Sequence, residues 1–301
     1  MKHIFVSLMF LLSGSLPSLS AQPLSAGKGV GECCRQGVEQ LELQVPCRQL
    51  EGITERAVTV FLPAGYRQQT ERRYPVLYLM HGIKETPQVW QQKGRLCEVV
   101  DSMTRCGVLR DMVIVCPAGD DDHMLYFNVP HWHYEDFFFQ ELLPYIEHNF
   151  RVRTDKGSRA VGGFSLGGGS AIVYGVRHPE CFAMVYAISG YLRSQHVKGL
   201  GHSPQIDAWR NVIDAYNPID RLLDGTDDDV QAWRSVEWCV AIGDHDFTLD
   251  VNMELVRAFR SMRLPYRFVV TPGRHNWEFV FPAMLQMLQA VSDRFAENEK
   301  K

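Results

Sequence analysis

The chain has 301 residues, 46% of them hydrophobic and 22% charged, with 24 Gly and 15 Pro. This is ordinary globular composition and excludes a disordered, collagenous or coiled-coil chain. Thirty-one basic against 35 acidic residues leave a net charge of −4, without the basic excess that binding a phosphate backbone uses, so nucleic acid is not an expected partner.

Lys2, an apolar run over 4–12 and the small residues Ser18, Ser20 and Ala21 predict a secretory signal peptide over 1–21. Its apolar core is too short to span a bilayer, and no later stretch of about 18 apolar residues occurs. The mature protein is therefore expected to be exported, periplasmic or extracellular, with no integral membrane association. Residues 22–40 read as an N-terminal linker and 41–301 as one domain. All eight cysteines lie after residue 21, in an exported context that permits disulfides. Their spacing does not define a pairing, and with no CxxC or Cys/His cluster a structural zinc site is not expected. Cys116 and Cys239 sit in apolar runs and read as buried thiols.

From Leu41 to Leu62 apolar and polar residues alternate, which predicts antiparallel strands at the N-terminal edge of a sheet. Val76 to Met80 is instead continuously apolar, the pattern of a parallel strand covered on both faces, and similar runs recur over 112–115, 182–189, 238–242 and 266–270. Helical stripes fall between and after them: Phe138, Leu142, Tyr145 and Ile146; then Leu255, Phe259 and Met262; then Met284, Leu288, Val291 and Phe295. Strands alternating with helices predict an α/β fold with a mostly parallel central sheet flanked by helices. In such sheets function gathers at the C-terminal ends of the strands.

Residues 159–169 place Gly163-Phe164-Ser165-Leu166-Gly167 between a short strand and a helix that starts at Leu166. A serine on that turn stands clear of the backbone, and the flanking glycines leave room for the sharp bend. The helix start adds a positive dipole end and free N–H groups where an oxyanion would form. The base is expected later in the chain, and His275 follows the 266–270 strand across a Pro272-Gly273 turn. The acid is expected after the preceding strand, where Asp244 and Asp246 are both in reach and spacing leaves the choice open. Gly82 allows a turn after the third strand, so the N–H of Ile83 can join that of Leu166 in an oxyanion hole. His81 reads as a turn-packing residue.

Several of these pieces together resemble one family. Phe61-Leu62-Pro63-Ala64-Gly65-Tyr66, Tyr74-Pro75 leading to His81-Gly82, Glu141 to Glu147, the serine turn, Gly243 to Asp246 and Gly273 to Trp277 resemble the esterase branch of the α/β-hydrolases over about residues 45–295. That branch includes feruloyl, acetylxylan and enterochelin-type esterases, S-formylglutathione hydrolases and mycolyltransferases. Leu166 stands where Met is frequent, and Arg274 where a second Gly is common. The resemblance implies an α/β-hydrolase fold, a Ser165, Asp246 and His275 triad, and a serine carboxylic ester hydrolase with no cofactor. Its exported members act mostly on acyl groups attached to carbohydrate, which points to an acylated carbohydrate or other small ester, with feruloyl or acetyl release expected.

Near the expected site rim, Asp120 to His123 and Val129 to His133 read as polar loop rather than a metal site. Phe127, Trp132 and Trp277 are candidates for stacking on a sugar or an aromatic acyl group. The long connection 191–234 is expected to form a small cap over Ser165. Competing readings are a siderophore esterase, a serine peptidase on the same fold, or a non-catalytic glycan-binding module. Oligomeric state has no sequence signal.

Overall fold

The computed structural model describes residues 37–119, 126–193 and 203–299. The chain divides into two units, Met1–Cys34 and Arg35–Lys301, and the described residues belong to the second. The predicted signal peptide, Asp120 to His123 and the 194–202 part of the expected cap lie outside the described residues.

In chain order the strands are β1 (Glu39–Pro46), β2 (Glu55–Leu62), β3 (Val76–Met80), β4 (Val113–Pro117), β5 (Asn128–Val129), β6 (Trp132–His133), β7 (Arg159–Phe164), β8 (Met184–Ile188), β9 (Glu237–Gly243) and β10 (Tyr266–Thr271). Eight of them form one sheet in the order β1-β2-β4-β3-β7-β8-β9-β10, and β5 and β6 form a small hairpin. β1–β2 and β2–β4 pair antiparallel. Every pair from β4 to β10 is parallel. Along β3, Val76, Tyr78 and Met80 enter one core cluster and Leu77 and Leu79 the other. That is why the strand is apolar at every position rather than at every second one.

The helices are α1 (Val89–Gln92), α2 (Leu96–Arg105), α3 (Tyr134–Asp136), α4 (Leu143–Asn149), α5 (Leu166–Arg177), α6 (Pro204–Ala215), α7 (Pro218–Leu223), α8 (Asp227–Arg234), α9 (Leu249–Ser261) and α10 (Trp277–Asn298). They cover both faces of the sheet: α5 lies in one core cluster and α10 in the other. The stripe from Phe138 to Ile146 is not one regular helix. A π-helical turn, Phe137–Leu142, joins α3 to α4. Pro144, which has no N–H to donate, sits in the first turn of α4, so the regular ladder cannot run through it. β10 also departs from expectation. It is parallel but forms the sheet's edge, with Tyr266 36% and Val270 45% exposed, so only part of it is covered. Six cysteines among the described residues are free thiols. Cys116 and Cys239 are buried, and burial pushes the Cys239 thiol up to about 12.

Candidate active site

Ser165 occupies the turn between β7 and α5 with φ of 55° and ψ of −117°, a conformation costly for a non-glycine residue. Its neighbours hold it there. Its N–H donates to the Ile188 carbonyl at 2.9 Å, and its carbonyl accepts from Gly169 and Tyr191, each at 2.9 Å. Two residues to either side of the serine the turn has no room for a side chain: a Cβ at Gly163 would lie 2.4 Å from the Met80 carbonyl oxygen, and one at Gly167 2.3 Å from it.

His275 Nε2 lies 2.8 Å from Ser165 Oγ, and His275 Nδ1 lies 3.0 Å from both carboxylate oxygens of Asp246. Phe164 and Phe247 flank the imidazole, with ring centroids 4.8 and 4.3 Å away. Thr248 donates to Asp246 Oδ1 twice, from its N–H at 2.8 Å and its Oγ1 at 2.7 Å. Burial pushes the Asp246 carboxyl up, but the His275 contact and the bond from Thr248 outweigh it and hold the group below the ordinary carboxylate range. Asp244 is placed differently. It is partly exposed and accepts from Gly273 N–H at 2.9 Å, closing the turn that carries the histidine. The N–H groups of Asp244 and His245 donate to Thr271 and Gly273, each at 3.0 Å, so the acid turn and the histidine loop are one bonded unit.

Leu166, the first residue of α5, has no acceptor for its N–H within the helix. The peptide that carries the Ile83 N–H is fixed from its carbonyl side. The Gly82 oxygen accepts from His81 Nδ1 at 2.9 Å and from Glu85 N–H at 3.2 Å, which turns the Ile83 N–H the opposite way. His81, fully buried, also accepts from Gly119 N–H at Nε2 (3.1 Å), so it braces the turn as a neutral ring.

Ile83, Leu166, Ser165 and His275 share a cavity of about 150 Å³ with Tyr191, Phe247 and four residues of α6: Ile206, Trp209, Arg210 and Ile213. The helical part of the expected cap thus supplies one wall of the space above Ser165.

Two of the three aromatic residues expected to meet substrate are buried away from this cavity. Phe127, 1% exposed, stacks on Tyr216 at 4.6 Å between ring centroids. Trp132, 5% exposed, packs under the Arg56 guanidinium. Trp277 is half-buried, edge-on to Trp90 and Phe164, and its Nε1 donates to Glu85 at 2.7 Å. None of the three lines the cavity. The lining aromatics are Tyr191, Trp209 and Phe247. Phe247 was findable from its place directly after Asp246; Trp209 carries no signal beyond lying in the long insertion.

A mostly parallel sheet whose C-terminal strand ends bring a serine, a histidine and an aspartate into hydrogen-bond contact defines the α/β-hydrolase class of fold. The family model described as "Putative esterase" matches residues 53–290, and the chain belongs to that family, a family of carboxylic ester hydrolases. A solved ferulic acid esterase is 36% identical, superimposes with a TM-score of 0.80 and is covered over 99% of its length by 86% of this chain. An esterase of Mycobacterium tuberculosis is 34% identical over 73% of this chain and 44% of its own length. An endo-1,4-beta-xylanase/feruloyl esterase of Xylanibacter ruminicola is 30% identical over 45% of this chain and 19% of its own length. The chain therefore spans less than half the length of these curated relatives.

Proposed function

We propose that the chain releases an aromatic, feruloyl-type acid from its ester with a carbohydrate hydroxyl, outside the cytoplasm. One observation carries the acyl side of this reading: the cavity beside Ser165 is about 150 Å³, walled by Ile83, Leu166, Ile206, Trp209, Ile213 and Phe247. An apolar cavity of about 150 Å³ takes one benzene-sized ring, whereas an acetyl group would leave most of it empty. The likeness to a ferulic acid esterase at 36% identity supports the same acyl group. The apolar run and small residues of 1–21 support export.

In this reading Ser165 Oγ attacks the ester carbonyl while His275 Nε2 takes its proton, and Asp246 holds the imidazolium that forms. The N–H groups of Leu166 and Ile83 bind the oxyanion. His275 returns the proton to the departing alcohol, and water then enters by the same route to release the acid and restore Ser165. Each step is an acyl or proton transfer that these groups carry themselves.

The test is pre-steady-state hydrolysis of p-nitrophenyl acetate, beside steady-state turnover of methyl ferulate and an acetylated xylo-oligosaccharide. The reading expects a stoichiometric burst, methyl ferulate preferred over the acetylated sugar, and a loss of about 10⁴-fold or more in Ser165→Ala with the fold intact. Near-normal turnover in that variant would remove Ser165 from the mechanism. A preference for the acetylated sugar would remove the aromatic acyl group.

A further inference from the structure

Glu85 lies one turn beyond the Ile83 N–H, and its two carboxylate oxygens hold separate parts of the site together. Oε2 accepts from the Gly82 N–H at 3.1 Å, while Oε1 accepts from Trp277 Nε1 at 2.7 Å and from Lys93 Nζ at 3.1 Å. Its side chain is 14% exposed, so water competes weakly for these bonds. The fit on the Gly82 side is close: a Cβ there would stand 3.0 Å from Glu85 Oε2 and 3.3 Å from Phe164. Gly82 belongs to the loop after β3, whereas Trp277, two residues beyond His275, opens α10 directly after the loop that follows β10. β7, β8 and β9 stand between those strands, so no direct strand pairing joins the two loops. A single carboxylate spans that gap.

We infer that Glu85 is a positioning residue that fixes the oxyanion loop at Ile83 relative to the base His275. The inference rests on the proposed oxyanion role of Ile83. It assigns the indole of Trp277 to the same clamp, with Trp90 at 5.4 Å and the Lys93 ammonium 5.7 Å from its ring as further walls. Glu85 does not touch the reacting atoms. Its carboxylate form matters because three N–H donors reach it, Gly82 at Oε2 and Trp277 and Lys93 at Oε1, and only a group with an acceptor at each end satisfies both sides. In Glu85→Gln the volume is kept but the donors on one side, Gly82 alone or Trp277 with Lys93, meet an NH₂ group.

The test compares wild type, Glu85→Gln, Trp277→Phe and the double variant on methyl ferulate, with Ser165→Ala as blank. Glu85→Gln should lower kcat about tenfold with KM within about twofold, the signature of lost transition-state alignment rather than lost binding. Trp277→Phe, which removes the indole N–H and keeps a ring, should cost only about threefold in kcat. In the double variant the glutamine oxygen can face Gly82 while the Lys93 ammonium, 52% exposed, turns to water, so it should be no slower than Glu85→Gln alone. A Glu85→Gln kcat within twofold of wild type, or a double variant that loses the product of the two single effects, overturns the inference. If Glu85→Gln does not fold, Trp277→Phe decides: a lower kcat at unchanged KM supports the clamp and an unchanged kcat overturns it. Failure of the esterase reading would look different, as a wild type no faster than the blank.

Discussion

At the strand ends, Ser165, Asp246 and His275 are each held by short polar bonds anchored in the backbone: three through the peptide groups of Ser165, two from Thr248, and the exchange between the Asp244 turn and Gly273. The insertion between β8 and β9 is held mainly through side chains, by ring stacking and apolar contact with a few polar bonds. There α6 turns Ile206, Trp209 and Ile213 to the cavity, and its far end is docked by Tyr216, which stacks on Phe127 and donates to the Asn128 carbonyl at 3.1 Å. Beneath that ring lies the Arg177 guanidinium, paired with buried Glu135 at 2.6 Å. Bonds at fixed distance place reacting atoms to a fraction of an ångström, whereas apolar contact fixes a volume and tolerates repacking. On the proposed reading, chemistry and substrate fit thus depend on regions with different tolerance to change.

The difference can be broken most severely at Gly167. Its Ala variant forces a Cβ to within 2.3 Å of a main-chain oxygen that has nowhere to go. We expect a loss of about 3 kcal/mol or more in chemical denaturation and no measurable turnover on any ester. Trp209→Ala should separate the regions instead. It should cost about tenfold in kcat/KM on methyl ferulate, leave p-nitrophenyl acetate within about twofold, and barely move the melting temperature, because the removed surface belongs to the cavity wall. An equal loss on both esters would place Trp209 in the chemistry.

The smallest effect concerns pH and the cap's anchor. Burial pushes the Glu135 carboxyl up, but the bonds from His178 and Arg177 outweigh it and hold it below the ordinary range. A depressed carboxylate contributes stability above its unfolded value of about 4.3, and that contribution fades as pH falls through the lower folded value. Glu135→Gln should therefore melt a few degrees below wild type at pH 7, and the gap should narrow as pH approaches 3. A gap that is constant with pH would mean that packing, not charge, anchors Tyr216.

The sequence and the structure agree best where one local rule sets the geometry. The serine turn is legible because strand, Gly-x-Ser-x-Gly and helix follow within eleven residues, and Val76–Met80 because a strand covered on both faces is apolar throughout. Asp244 and Asp246 differ only in which way a tight turn sends them, and no pattern in the chain encodes that; the family likeness separates them. That Phe127, Trp132 and Trp277 do not line the cavity is not legible in the sequence, because an aromatic residue has the same appearance there whether it packs in the interior or faces a cavity. The exposure of β10 was hidden for a related reason, since an apolar run does not announce that its strand is last in the sheet. Glu85 has no signal in the sequence because its partners lie 3, 8 and 192 residues away along the chain and form no motif.

The position of α6 has a bearing on how such a protein can diverge. The helix leaves the sheet after β8 and the chain rejoins it at β9, strands that already pair directly with each other in parallel. Descendants could lengthen, shorten or exchange this excursion while the registers that align Ser165, Asp246 and His275 stay as they are. The hydrogen-bonded Ser165, Asp246 and His275 arrangement can thus be inherited intact beside a succession of different cavity walls.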